Sequence, residues 1–213
     1  MSAREEILGR VRAALADPPG QRRAQDPVVR AYRRRGERDA DELVALFAER
    51  CAEYRAGVRC VAAADVPAAI AATLRGWSAR RVAIPPGVPR GWCAEGIEWI
   101  EDRGLDHAVL DGADAVLTGC AVAVAETGTI ALDAGPGQGR RALTLIPDRH
   151  VCVVEVGRIV EQLPEAIARL AASARAGRPI TLIAGPSATS DIELERVEGV
   201  HGPRVLEVVC CGA

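Results

Sequence analysis

The run VAVAETGTIALD, Val122 to Asp133, is apolar on both sides of a polar interruption made of an acid, two hydroxyls and a glycine. Alternation through Val122 and Val124, and again through Ile130 and Leu132, gives two strand-like segments with the Thr127–Gly128 pair at a bend between them. Gly128 can take the positive φ that a tight bend demands. Taken alone, Thr127 is a turn hydroxyl that satisfies free backbone groups. Glu126 is different, because an acid closing an apolar strand sits where desolvation raises its proton affinity and equips it for proton transfer or nucleophilic attack.

Outward from this bend the chain is rich in strands. AVLTGC (115–120) precedes it, and RALTLIP (141–147) and HVCVVEV (150–156) follow it as further strand-like runs. The absence of a helical pattern between them predicts hairpins forming an antiparallel edge or a small second layer. Elsewhere strands and helices alternate. VRCVAAA (58–64), RRVAIPP (80–86), PITLIAG (179–185) and RVLEVVCC (204–211) read as strands, and residues 65–77 and 163–175 as helices, the first opened by Asp65. Residues 92–101 fit either state. Such alternation predicts an α/β fold with three layers, a mainly parallel sheet covered on both faces, and a β-rich insertion.

Two more helices stand at the front. Ser2 and Glu5 form a capping-box pattern before Ile7, Leu8, Val11 and Leu15, and Leu43, Leu46, Phe47, Cys51 and Tyr54 mark a second helix that Gly57 ends. Between them, residues 18–38 combine proline, glycine and arginine with little apolar periodicity, and read as an exposed arm that is either solvated or aimed at an acidic partner. The chain therefore divides into an N-terminal helix and arginine-rich arm (1–40) and one main domain (41–213).

Composition narrows the chemistry. The 27 basic residues are all arginine, so Schiff-base lysine chemistry and a P-loop lysine are ruled out. A formal charge of -2 gives no general attraction to nucleic acid or anionic membrane. The amphipathic, charged start carries no membrane-span or signal-peptide pattern, which predicts a cytoplasmic protein. Seven scattered cysteines without C-x-x-C spacing read as small buried hydrophobes, Cys210 and Cys211 included, and three histidines make a histidine-rich metal site improbable.

Two further segments carry polar chemistry. DAGPGQGRR (133–141) places glycines at 135, 137 and 139, with Gln138 among them, before Arg140 and Arg141. Alternate glycines let backbone N–H groups converge on an anion, and the arginines offer bidentate donors to carboxylate or phosphate; a plain glycine-rich loop is the equal alternative. AGPSATSDIELERVEGVHGP (184–203) follows the strand PITLI, and ligands of open α/β sheets bind beyond strand C-termini. Gly185, Ser187, Thr189, Asp191, Glu193 and His201 are thereby candidates for ligand binding, alongside Thr127, Gly128 and Thr129, although Ser187 and Asp191 could equally cap a helical turn and His201 could be packed. His150 reads as structural.

The blocks TGCAVAVAETGTIALDAGPGQGRRALTLIPDRHVCVV and GPSATSDIELERVEGVHGP together resemble the LUD-domain family. The resemblance implies a fold similar to ribose-5-phosphate isomerase and the CoA-transferases, with Glu126 the analogous candidate nucleophile. It also implies a place in a three-part system that oxidises L-lactate to pyruvate, whose iron-sulfur clusters sit on the two partner proteins. This chain lacks clustered cysteines, so no cofactor of its own is expected. The expectation is one anion-binding cavity walled by Glu126–Thr129, Gly135–Arg141 and Gly185–Glu193, taking a small carboxylate or phosphorylated ligand. A stand-alone isomerase or acyl/CoA-transferring enzyme, and a non-catalytic assembly or regulatory subunit, are the alternatives.

Overall fold

A computed structural model describes residues 2–16, 30–186 and 202–212. The chain forms two units, residues 1–32 and 33–213. The first contains α1 (Ala3–Leu15), whose Ser2–Glu5 capping box forms as the sequence predicts and whose apolar stripe stays exposed.

The second unit is built on a six-stranded, wholly parallel sheet. Its strands are β1 (Gly57–Ala62), β2 (Arg81–Ile84), β3 (Glu98–Glu101), β4 (Ala115–Thr118), β7 (Arg149–Glu155) and β10 (Val205–Gly212), in the spatial order β1-β10-β7-β4-β2-β3. A second sheet of four short strands, β5 (Val122–Val124), β6 (Thr129–Leu132), β8 (Ile159–Val160) and β9 (Thr181–Ile183), has the order β8-β5-β6-β9. The strand-rich middle therefore divides, with β4 and β7 joining the parallel sheet and β5 and β6 forming an antiparallel hairpin in the second.

Packing explains the layers. Helix α3 (Val66–Gly76) lays Val66, Ile70 and Leu74 on one face of the large sheet, against Val82, Leu117, Val151 and Val209. On the other face, α2 (Ala40–Glu53) and the inner face of the second sheet close a core of Phe47, Ala123, Ile130, Val154 and Val208. Burial of a ring such as Phe47 contributes about 1.5–3 kcal/mol. Helix α5 (Leu163–Arg175) seals the outer face of the second sheet through Ala166 and Leu170 on Val122 and Val124. This is the predicted α/β class with a mainly parallel sheet.

Several local readings are corrected. RALTLIP is a 3-10 turn over Arg141–Thr144, not a strand, and only Leu143 and Thr144 of that turn are buried. Helix α2 ends at Glu53 and is capped by Tyr54, with Arg55 taking φ 63, while Gly57 opens β1. Asp65 stands at the N-cap of α3 with Pro67 in the first turn, as the sequence predicts, but its side chain makes no capping bond. The undecided stretch 92–101 contains β3, and α4 (His107–Asp111) is too short to leave a periodic signal.

Cys51, Cys120, Cys152 and Cys210 all enter the core between the sheets. Burial pushes the thiols of Cys51 and Cys152 up to about 12, which makes them packing groups, as their scattered spacing predicts. Cys60 is exposed. His150 is fully buried in β7, with Nε2 2.8 Å from Thr118 Oγ1 and Nδ1 without a partner among the described residues. Burial lowers its pKa to about 4, so the ring is neutral.

Candidate functional site

β2 and β3 end side by side, and the chain beyond each, together with the loop after β6, walls a crevice of about 420 Å³. Its lining includes Pro86 and Gly87 after β2, Asp102 after β3, and Ala134, Pro136 and Arg140 from the loop after β6. The region beyond the carboxyl ends of parallel strands is where open α/β sheets bind ligands.

The glycine-rich loop reaches this position by close backbone contact. Gly137 donates its N–H to Pro86 O at 2.8 Å and accepts from Gly119 N–H at 2.8 Å. A Cβ on Gly87 would lie 2.9 Å from Gly137 N, so the two loops meet only because that position carries no side chain. Gly135 donates to Asp133 Oδ1 at 3.0 Å, and Gly139 donates to Gly135 O at 3.3 Å. All three glycine N–H groups are thus engaged inside the protein. The expected cradle of converging free N–H groups is corrected: these glycines shape the crevice and do not present donors to it. Gln138, expected at the ligand, is buried and accepts from Asp133 N–H at 2.6 Å.

Arg140 does line the crevice. Its Nε and Nη2 donate to the two oxygens of Asp102 at 2.8 and 3.1 Å, and Nη2 also donates to Leu105 O. Nη1 has no partner among the described residues and is the donor edge left for a ligand. Desolvation pushes the Asp102 carboxyl up, but Arg140 and the backbone N–H groups of Leu105 and Gly104 outweigh it and hold the pKa below the ordinary carboxylate range. The pair is neutral overall, so the crevice offers directed N–H groups in place of a strong positive field. Arg141 follows on the 3-10 turn, exposed, and is not among the lining residues.

The predicted catalytic glutamate lies elsewhere. Glu126 sits in the β5–β6 turn, at the opposite end of β6 from Asp133, with a four-residue strand of about 10 Å between the two ends. Its carboxylate is 38% exposed and accepts from Arg33 Nη2 at 2.7 Å. The expected desolvated acid is therefore an exposed, ion-paired one. Thr127 donates to Thr129 at 2.8 Å, so these hydroxyls bond to each other. Gly128, with φ 60, packs on α2, where a Cβ would lie 2.8 Å from Cys51 N.

Beneath Glu126, the strap of residues 33–38 lies along the second sheet. Glu161, only 3% exposed, accepts from Glu37 N–H at 2.8 Å, Arg38 N–H at 2.9 Å and Arg38 Nη1 at 2.8 Å. The Arg38 N–H first, then the Glu37 N–H and the charges of Arg38 and Arg33, outweigh desolvation and lower the Glu161 pKa. These arginines of the predicted arm meet acids of their own domain.

The distal segment also departs from expectation. β9 pairs antiparallel with β6, Leu132 opposite Thr181 and Ile130 opposite Ile183, so it is not a strand of the parallel sheet. Its continuation, Gly185, therefore emerges at the Gly128 end and packs on Tyr54 of α2. Ser187, Thr189, Asp191, Glu193 and His201 lie outside the described residues. The expectation of one cavity is corrected: Glu126, Thr127, Gly128, Thr129 and Gly185 stand at one end of the second sheet, and Gly135–Arg141 at the other. Sequence reasoning missed Asp102, Asp133, Glu161 and the Pro85–Gly87 wall. The Pro-Pro-Gly punctuation after a strand and the Asp-Arg-Gly turn after another were the available signals.

Among the described residues no three His, Cys, Asp or Glu side chains are grouped to hold a metal, and no helix is long and apolar enough to cross a membrane. The sequence pattern of the LUD domain matches residues 38–210. The chain is 54% identical over 172 residues to Lactate utilization protein C of Deinococcus radiodurans, covering 80% of each chain. It is 27% identical over 180 residues to Lactate utilization protein C of Halalkalibacterium halodurans, covering 78% of each. A crystal structure of a DUF162 family protein from Deinococcus radiodurans superposes with a TM-score of 0.73 at 45% identity, covering 83% of this chain and 100% of that one. With the domain pattern spanning the whole two-sheet core and a solved relative sharing its architecture, this chain belongs to the LUD domain family.

Proposed function

We propose that this chain serves lactate utilisation as a carboxylate-binding subunit of a system that oxidises L-lactate to pyruvate, acting in the cytoplasm beside iron-sulfur proteins that carry the electrons. The observation that carries the reading is the 54% identity, over four-fifths of both chains, with a relative named for lactate utilisation. The crevice supplies the location. Arg140 is held in a fixed orientation by Asp102 and Leu105 O, and its remaining Nη1 can donate to a carboxylate oxygen. Prolines and an alanine on the walls suit a short apolar tail. Among the described residues a dianionic phosphate would find one cation, already paired, and the N–H groups of Gly135, Gly137 and Gly139 already engaged.

The crevice chemistry favours binding over proton abstraction. Its titratable lining groups are Asp102 and Arg140. Asp102 accepts four hydrogen bonds, and its lowered pKa makes it a weak base at neutral pH. Lactate loses two electrons and two protons on becoming pyruvate; in such a system acceptors on the partner proteins would take both, and this chain would hold the carboxylate through Arg140.

Titrating L-lactate and pyruvate separately against the wild-type chain and Arg140→Met, by heteronuclear NMR, tests the site. Binding with shifts at Gly87, Ala134 and Arg140 that is lost in the variant is expected. Equal affinity in both proteins refutes it. Lactate-dependent electron transfer by the partner proteins with and without this chain tests the assignment to the system.

A further inference from the structure

The crevice loop is tied to a helix that does not line it. Asp133, buried at the end of β6, accepts from Gly135 N–H at 3.0 Å with Oδ1. Its Oδ2 accepts from Ser173 Oγ at 2.5 Å and from Arg178 Nη2 at 2.8 Å. Ser173 lies on the buried face of α5, and Arg178 follows that helix and donates to the same hydroxyl. The Asp133 N–H closes on Gln138, and Gly135 O accepts from Gln138 and Gly139 N–H groups at 3.1 and 3.3 Å. An unbroken hydrogen-bonded path thus runs from α5 through Asp133 into the loop that carries Arg140. Ala134, between the anchor and the first glycine, takes φ 55 although it has a Cβ. A non-glycine residue in this region persists only where its surroundings over-determine it.

We propose that Asp133, Ser173 and Arg178 form a positioning unit that sets the shape of the carboxylate crevice from behind. This inference rests on the carboxylate-binding reading of the crevice. Ser173 is not a lining residue and acts through Asp133, which fixes the first turn of the loop; Arg178 holds the same carboxylate and also lies beside Gly135 of the lining, where a Cβ would stand 3.2 Å from its Nη1. A buried carboxylate with a hydroxyl, a guanidinium and a backbone N–H around it has one low-energy arrangement, and charge-assisted bonds are the strong ones. Losing a donor on the α5 side frees the carboxylate to rotate, and the Gly135 bond goes with it.

The test uses the full chain with Ser173→Ala and Arg178→Met, and the conservative partners Ser173→Thr and Arg178→Lys. Amide exchange at Gly135, Gln138 and Gly139 reads the loop, NMR titration with L-lactate and with pyruvate reads the crevice, and thermal unfolding reads the fold. The expected result is at least tenfold faster exchange and about tenfold weaker probe binding in Ser173→Ala and Arg178→Met. Both should recover toward wild type in Ser173→Thr and Arg178→Lys, a rescue that general destabilisation would not give. Unchanged exchange at the three amides overturns the positioning unit. Faster exchange with unaltered affinity overturns its link to binding. If the wild-type chain binds neither probe, the carboxylate reading fails, and the exchange rates alone then decide whether α5 governs the loop.

Discussion

The two ends of β6 are made from similar residues and do opposite things. At one end Glu126, Thr127 and Gly128 form a turn that is closed by packing: the glycine lies on α2, the hydroxyls bond each other, and the acid takes an arginine from the strap. At the other end Asp133, Gly135 and Arg140 form a loop with as many internal bonds, yet the loop stands away from its neighbours far enough to leave a crevice. An acid followed closely by glycine therefore marks a turn in both places. Whether the turn also frames a crevice depends on what lies across from it, a helix surface in one case and strand ends in the other.

Substitutions can break this contrast. Gly128→Ala has the largest expected effect, because a Cβ at φ 60 would press on the α2 backbone; chemical denaturation should show a loss of about 3–5 kcal/mol, with crevice chemistry intact in the folded fraction. A loss under 1 kcal/mol would mean the turn is not closed by packing. Acid comes next. His150 refuses a proton in the folded chain until about pH 4 but accepts one near 6.5 when unfolded, so the unfolded state binds more protons in that window. Stability should fall on the order of 2–3 kcal/mol between those values, read from urea midpoints. The ends of β6 should hold until lower pH, because Asp102, Asp133 and Glu161 have folded pKa values below the ordinary range and lose their contribution only as pH falls through those values. Early exchange of the Arg38 or Gly135 amide would contradict this.

Glu161→Ala removes the acceptor of two backbone N–H groups and should cost about 2 kcal/mol in denaturant titrations while sparing carboxylate affinity. Glu126→Gln has the smallest expected effect. Its half-exposed ion pair is worth under about 0.5 kcal/mol, and neither probe binding nor lactate-dependent turnover should change. A large loss of turnover in that variant would return Glu126 to the chemistry and erase the distinction between the two ends.

The contrast also shows what the chain reveals before folding. The strands β1, β2, β4 to β7, β9 and β10 and the helices α1, α2, α3 and α5 were legible because apolar runs and caps are local signals. β8, two residues long, carries none. RALTLIP misled because a short apolar run suits a strand or a turn equally, and here Arg140 is pulled toward Asp102 just before it. Alternation in β5 and β6 gave the right state for a partial reason, since both faces of these strands are buried. The glycine loop was legible as a loop. The partners of its N–H groups were not, because they are set by Pro86, Asp133 and the loop's own carbonyls once tertiary contacts form. Pairings such as Asp102 with Arg140, or Glu161 with Arg38, join residues 38 and 123 positions apart, and nothing in either local sequence announces the other.

The strap over Glu161 has a practical consequence for where this domain can be cut. A chain shortened to begin at α2 would keep every helix and strand of the two-sheet core, yet would uncover Glu161 and discard its donors with residues 33–38. Such a fragment should be less stable than one that starts at or before Arg33, because the strap's bonds to Glu161 and Glu126 are lost with it.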